Sequence, residues 1–593
     1  MLKRYSAQPE PAAASGGDGS SAVAMNAGGT HVSAAARRAV FATAIEQVSE
    51  APAQVVSGRL PSWLRGSLLL NGCGDFRGMQ HLFDGYACLS RVRLDGQANS
   101  AWASQRFLDT DAYRSFRATG RLKYREFGTP AGTPAAAQPK SSLPLLPLLR
   151  SAYNTTCGVV ATLTGRQGFS DNASVTLTAL PSGQLLALSE PAAATYLVDP
   201  HTLAATHHVV YGSTKQGSRA SGSSNSSSSG QQAGAAAAAG AGVVAASSGG
   251  RPEVRRVVDD MPHSDIQTAH VKHTPDGGLV NFSRSLPFGG YHVYVQDPVS
   301  LKRKQIAFIR DRDPFAPCWV HDMAVTRSHL VVVESPLHMN LTALMTGGSR
   351  PYVFMDWRPE AGTRVHVIAL DGSGVVTHTA PALFTFHFSN AFEQPSASAP
   401  GASEICVDFS VYDDPTVLND LSLKQMMAMP GQDISPSRLR RLTIPLRDAG
   451  GKPVGPSRLA APAPLLRDES AYGNFVEFPA FNPKFTGLPY RYCYSTAAVR
   501  PTNMGNALAV HDLQEGVSRL WHSPGGMPAE PCFVPRPGSS DEADGVVLAA
   551  VVGADGGSSV VVLEGGSLRE LARVQLPVTV PYRFHGTFVQ QQQ

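Results

Sequence analysis

Short runs of apolar residues, alternating or unbroken, recur along the chain and are cut by Gly, Pro, Asn and Asp. The stretch 174–203 reads SVTLTAL, PSG, QLLALSE, PAAA, TYLV and DPHTL in turn. Runs of this length between turn-forming clusters predict β-strands. The same unit returns at 274–301, 321–335, 364–376, 507–522 and 545–574. Each is an inner strand, a tight turn, a second strand, and a third strand ending in a turn with Asp or Gly. Strand units recurring every few tens of residues predict an all-β chain repeated radially, a β-propeller. A β-sandwich array is the alternative. Helical spacing is clearest at 417–429 (VLNDLSLKQMMAM), and 33–49 is compatible with a first short helix.

Composition narrows the class. Hydrophobic residues make up 42% of the 593, and Gly 56 and Pro 44 make turns frequent. A coiled coil, a collagen and a wholly disordered chain are excluded. A length prior of about four domains is weak here, because closed β-architectures run long as one unit. We expect one propeller domain over 46–593. The formal charge of +4 is near balance, and no Lys/Arg run marks a nucleic-acid surface. The seven cysteines are scattered without a CxxC pair, so a reducing compartment is favoured over a disulfide framework. The apolar stretches fall short of the ~18 residues that span a bilayer.

Two segments break the pattern. Residues 1–40 are rich in Ala, Ser and Gly, with Lys3, Arg4, Arg37 and Arg38 against Glu10 and Asp18. The tail 1–45 is compatible with an organelle transit peptide or with a plain disordered tail. Residues 212–251 are low in complexity and carry too little apolar bulk to offset ordering entropy. Strand-like sequence on both sides favours a disordered insertion within the domain over an interdomain linker.

Among 18 histidines, four lie on or beside apolar strand-like sequence: His270 in SDIQTAH, His321 after PFAPCWV, His387 in ALFTFHFSNAF and His585 in VPYRFHG. A neutral imidazole there must satisfy both its N–H and its lone pair, and metal ligation is one way to do so. A lone buried histidine is more often a satisfied core residue. The spacings of 51, 66 and 198 residues follow no local motif. In a propeller, however, inner strands of different blades face one axis. Four imidazoles meeting there suit Zn, Cu, Fe or Ni. No GxSxG elbow, Walker A motif or dinucleotide fingerprint appears.

Taken in order, LLLNGCGDF, HLFDGYA, IQTAH, WVHDMAVT, FHFSNAFE, VEFPAFNPKFTGLPYRYCY, EPCFVPRPG and PYRFHGTFV resemble the carotenoid cleavage dioxygenase family over roughly residues 55–590. HLFDGYA (81–87), DAYRSFRATGRLKYREF (111–127), SDNASVTLTALPSGQLLALSE (170–190) and RPTNMGNALAVHDL (500–513) are similar to one branch, the plant carlactone-forming enzymes of strigolactone synthesis. The resemblance implies a seven-bladed propeller with helices and loops capping one face. It implies one Fe2+ per chain held by His270, His321, His387 and His585, with Glu190, Glu477 and Glu530 behind them. A carboxylate accepting the far N–H of a ligand histidine fixes its tautomer and aims the ring. The implied reaction joins O2 to a conjugated C=C of an apocarotenoid or carotenoid, in this branch a 9-cis apocarotenal. The rivals are another scission site, a non-oxidative isomerohydrolase of the same superfamily, and an inactive lipid-binding propeller.

A polyene arrives from a membrane or lipid droplet, in this family's plants within a plastid. The segment 141–163 (SSLPLLPLLRSAYNTTCGVVATL) is apolar and Pro-broken in its first half. It reads equally as a patch dipping into one leaflet, giving peripheral membrane association, and as a core helix of the cap. Two departures from the family stand out. Cys73 replaces the Pro of NGPG, and Arg583 replaces the Gly of PYGFHG. A long cation at 583 is expected either to narrow the tunnel, to contact a polar substrate end, or to point the other way.

Overall fold

In the computed structural model, residues 31–42, 46–135, 169–213, 250–286, 289–346, 351–428, 434–467, 475–499 and 505–591 are described. The 1–30 tail, most of the 212–251 insertion and the whole 141–163 apolar segment fall outside them.

The strands form seven blades around one axis, antiparallel but for one parallel pair in blade 2. Blade 1 holds Arg65–Asp75, Tyr86–Asp95 and Ser100–Phe107, with Arg583–Gln590 as its inner strand. Blade 2 runs from Thr176–Ala179 to Glu253–Asp259, and blade 3 from Ile266–Gln267 to Arg303–Arg310. Blade 4 runs from Ala324–Val325 to Val375–Ala380, and blade 5 from Phe388–Pro395 to Ala463–Pro464. Blade 6 is Val476–Phe481 to Val517–His522, and blade 7 is Met527–Pro528 to Glu570–Gln575. Strand Val48–Gly58 pairs with the outer edges of blades 7 and 1 and merges them into one ten-stranded sheet. The ring is thus closed twice, by residues 583–590 on the inside and residues 48–58 on the outside. Closure leaves only short, protected edges.

Interlocking faces explain the apolar runs. Strand Gly545–Val552 is buried at every position. Its Val546, Leu548 and Ala550 pack on Leu68, Leu70 and Val92 of blade 1. Its Val547, Ala549 and Val551 pack on Tyr494, Leu508 and Val510 of blade 6. Period-2 geometry sends alternate side chains to opposite neighbours, so a strand between two blades is apolar throughout. Ala205–Ser213 and Glu253–Asp259, which flank the undescribed insertion, run parallel side by side in blade 2.

One axial face is capped. Helix Asp111–Thr119 starts at Thr110, whose hydroxyl accepts from Tyr113 N–H, and stops at Gly120 with φ +64°. Its Phe116 joins Phe76, Trp319, Phe386, Tyr412 and Met426 in an apolar cluster over the axis. The expected helix over 417–429 is instead two short ones, Val417–Asp420 and Leu423–Met426. Between them Leu421 C=O accepts from Leu82 N–H and Leu423 N–H donates to Gln80 C=O, so cap contacts take over the backbone bonds a continuous helix needs. The N-terminal helix covers only Ala34–Val40, because Val48 already begins a strand. Among the described residues no helix is long and apolar enough to cross a membrane.

Candidate metal centre

The four histidines stand at the axial ends of inner strands. His270 lies between Ile266–Gln267 and Lys272–His273, His321 three residues before Ala324–Val325, His387 one residue before Phe388–Pro395, and His585 within Arg583–Gln590. Their rings meet. Centroid distances are 4.7 Å for His270–His321, 5.2 Å for His270–His387 and 4.5 Å for His270–His585. They are 5.2 Å for His321–His387 and 5.0 Å for His387–His585. The Nε2 atoms of His270 and His321 lie 3.2 Å apart, and one ring nitrogen each of His270, His387 and His585 lies within 4.8 Å of the others. Backbone ties add rigidity: His270 N–H donates to Thr268 Oγ1, whose hydroxyl donates to His321 C=O.

Three carboxylates face the outer nitrogens, one per ring. His321 Nδ1 is 2.6 Å from Glu190 Oε1, His387 Nδ1 is 2.6 Å from Glu477 Oε2, and His585 Nδ1 is 2.9 Å from Glu530 Oε1. Each carboxylate is itself held. Glu190 accepts from Trp319 Nε1–H, Glu477 from Phe478 N–H, and Glu530 from Gly586 N–H. This arrangement puts the proton on Nδ1 and turns the Nε2 lone pair toward the other rings. Burial first, then the neighbouring His585 and His321, hold His387 well below the ordinary imidazole range. Burial and the other three rings do the same to His270. Both are therefore neutral, the form a metal requires. Burial pushes Glu477 up to about 7, against the favourable influence of the Tyr412 hydroxyl and the Phe478 N–H.

His387 Nε2 is buried and has no hydrogen-bond partner. Leaving such an atom unmet costs about 1–3 kcal/mol. A metal ion among four Nε2 lone pairs meets it, and an all-imidazole set suits iron. The residues present therefore fit the implied ion.

His321, His387 and His585 form part of the wall of a cavity that runs under the cap. Its lining is chiefly aromatic and aliphatic, with Phe83, Trp319 and Phe386 against the His321 ring and Phe127 and Phe584 packed beyond them. Phe478 stacks on His387 at 5.0 Å. It does so from φ +52°, where strand Val476–Phe481 bulges between Glu477 and Ala480. A left-handed Phe costs about 1–3 kcal/mol and persists only where its surroundings enforce it. No feature of VEFPAF announced this. Trp319 was likewise missed as a partner of Glu190, although it stands two residues before His321.

Of the three expectations for Arg583, contact with the tunnel is overturned. Its guanidinium donates to Cys73 C=O (3.1 Å), Ser90 Oγ (2.8 Å) and Gln105 Oε1 (3.1 Å), behind the inner strand. On a regular strand residues 583 and 585 share a face. Here the pairing shifts between Asn71–His585 and Gly72–Arg583, and that bulge sends the two side chains apart. Gly72 permits it, since a Cβ there would lie 2.4 Å from Tyr582 C=O. Cys73 Sγ faces the carbonyls of Leu82 and Gly85, also away from the cavity.

Residues 41–590 match the family described as Retinal pigment epithelial membrane protein. Carotenoid cleavage dioxygenase 8, chloroplastic, of Arabidopsis thaliana is 31% identical over 561 residues, covering 92% of this chain and 85% of that protein. Its homolog A from Oryza sativa subsp. japonica is 30% identical over 541 residues, covering 90% and 84%. The cobalt-substituted ACO of Synechocystis shares the fold at a TM-score of 0.65 and 21% identity, covering 94% of this chain and 99% of that one.

Proposed function

Because the chain belongs to the retinal pigment epithelial membrane protein family, that of the carotenoid oxygenases, we propose that it is an iron-dependent dioxygenase that cleaves a conjugated C=C bond of an apocarotenoid or carotenoid. The observation that carries this is the meeting of four imidazoles, three of them braced by carboxylates, in the wall of an aromatic cavity. His270, His321, His387 and His585 would hold Fe2+. Bound there, ferrous iron supplies the electron chemistry that lets O2 react with an alkene. Both oxygen atoms are conserved overall: one C=C and one O2 become two C=O groups.

The chain's own residues do the rest. Glu190, Glu477 and Glu530 keep a proton on each partner's Nδ1, so the facing nitrogens stay available. Phe83, Trp319, Phe386 and Phe584 give a polyene flat apolar walls, exclude water and fix which bond lies beside the histidines. The finer reading follows the plant relatives reported above. We read the substrate as a 9-cis apocarotenal and the product as carlactone, which takes oxygen insertion and rearrangement beyond simple scission, and the location as the plastid, on the strength of the chloroplastic names of those relatives. Peripheral membrane association rests on the apolar sequence 141–163.

Purified, iron-loaded protein incubated with all-trans and 9-cis apocarotenals should consume O2 and release paired carbonyl products. Tight iron without O2 uptake would point to isomerohydrolase chemistry, and absence of iron to a lipid-binding propeller. Residues 1–45 fused to a reporter test the location. Charging Leu145, Leu146 and Leu148 tests the membrane patch, which is wrong if liposome association is unchanged.

A further inference from the structure

The cavity wall is apolar except at a few places, and at one of these two polar side chains stand adjacent in sequence with atoms left unused. Arg125 and Glu126 both line it. Glu126 is 8% exposed. Its Oε1 and the Nε of Arg125 are buried without a hydrogen-bond partner. We propose that Arg125 and Glu126 bind the carbonyl oxygen at one end of the polyene and thereby set which double bond lies beside the histidines. This deepens the reading above and rests on it.

Neighbouring acids show what makes Glu126 different. Asp84 accepts from Thr129 Oγ1 at 2.5 Å, Gly128 N–H at 2.7 Å and His81 N–H at 2.9 Å. Asp171 accepts from the N–H groups of Asp111 and Ala112 and from Tyr196 O–H. Both are fully engaged in holding the cap. Glu126, a residue of the cavity wall, by contrast keeps one oxygen buried with nothing on it. A buried polar atom left so costs about 1–3 kcal/mol, and such groups in native sites belong to function more often than to neglect.

Position supports an end-group role. The Phe127 ring lies 5.9 Å from Trp319, and Trp319 lies 5.3 Å from His321. Arg125 sits over Phe354 at 5.8 Å, and Phe354 packs on Phe127 at 5.3 Å. The polar pair is therefore set off from the histidines by aromatic rings, as an end group is set off from an internal bond. The loop that carries it is braced: Leu122 N–H donates to Thr133 C=O, Glu126 N–H to Thr129 C=O, and Asp84 holds the tip. A braced anchor keeps its register with the reacting bond.

The chemistry selects the ligand class. Burial, aided by the charges of Asp84 and Asp171, pushes the Glu126 carboxyl well above its usual range, against a hydrogen bond from Ser170. The group is thus an acid that donates O–H, and Arg125, also in the cavity wall, offers an Nε–H. Two donors in an apolar wall match an oxygen that only accepts, an aldehyde or ketone. A hydrocarbon end leaves both unmet. An alcohol end uses them less well, because it must also place its own proton, which only an oxygen of Glu126 can take. Arg583, the cation that sequence comparison singled out for this role, is turned away from the cavity.

The test compares aldehyde-ended, alcohol-ended and hydrocarbon-ended polyenes of one chain length. Binding is read under nitrogen on the iron-loaded protein by quenching of tryptophan fluorescence, and cleavage position by product chromatography in air. Glu126→Leu should weaken binding of the aldehyde about 3- to 10-fold, the range for one hydrogen bond, leave the hydrocarbon unchanged, and spread the aldehyde's cleavage over neighbouring bonds. Glu126→Gln, which keeps an N–H donor, should retain most of the preference. Arg125→Met should fall between, and decides the matter if the Leu variant does not fold. Equal weakening for all three ligands, or none for any, overturns the proposal. A wild-type protein that binds no polyene overturns the parent reading instead, and this proposal with it.

Discussion

Replacing Glu477 by Gln removes a charge while keeping a shape. The carboxylate accepts from His387 Nδ1 at 2.6 Å and from Phe478 N–H at 3.1 Å, both through Oε2. A glutamine oxygen at that place accepts the same two hydrogens. Its amide then occupies the Oε1 position, which has no hydrogen-bond partner. What is lost is charge assistance. A hydrogen bond to an ionised group contributes about 1.5–3 kcal/mol and a neutral one about 0.5–1.5. The difference, about 1 kcal/mol, amounts to roughly a fivefold loss of metal affinity. Glu477→Ala loses the bond and the ring's orientation together, and should cost about 10–100-fold. Glu530→Gln should cost more than Glu477→Gln, because Glu530 accepts through both oxygens, Oε1 from His585 Nδ1–H and Oε2 from Gly586 N–H, and an amide NH2 would have to face one of these donors. Iron retained after dialysis against graded chelator under nitrogen gives all three numbers. Equal losses for Gln and Ala at 477, or a smaller loss for Gln at 530 than at 477, would refute the reasoning.

His387→Ala should abolish stoichiometric iron and turnover while leaving the strand circular-dichroism signal intact, since the blades are held by interblade packing rather than by this ring. Arg583→Met should leave iron content and product pattern unchanged and lower stability by about 1–3 kcal/mol, because Cys73 C=O loses its buried donor; an altered product pattern would return Arg583 to the tunnel. Burial pushes His511 down to about 4 from 6.5. The folded form therefore binds fewer protons than the unfolded one, so stability is full above pH 6.5 and declines as pH falls toward 4. Urea unfolding should show about 2 kcal/mol lost between pH 7 and pH 5 from this group, and His511→Asn should flatten that part of the slope.

Much of this was legible in the residues. Runs such as GVVLAAVV showed as strands because a blade strand is apolar on both faces, and four histidines beside strand-like runs pointed to an axis where distant segments meet. Helix Asp111–Thr119 was legible too, from Thr110 at its start and Gly120 at its end, but was read only as a family motif. Other features follow from tertiary bonds that no local pattern records. The break at Leu421–Ser422 exists because residues 80–82 compete for its backbone. The turn of Arg583 away from His585 depends on a bulge against Gly72, and the unused atoms of Arg125 and Glu126 are visible only once the cavity has walls.

Strand Arg583–Gln590, which carries His585, lies more than 500 residues downstream of the strand Arg65–Asp75 that it pairs with. A ribosome makes it after every other described blade strand. The nascent polypeptide can lay down blade after blade, yet it offers at most three of the four imidazoles until that final segment has been made and threaded back beside the first blade. Locking of the circle and readiness to take up iron are thus one event, so a chain translated only as far as the seventh blade has no finished pocket in which ferrous ion and oxygen could meet prematurely.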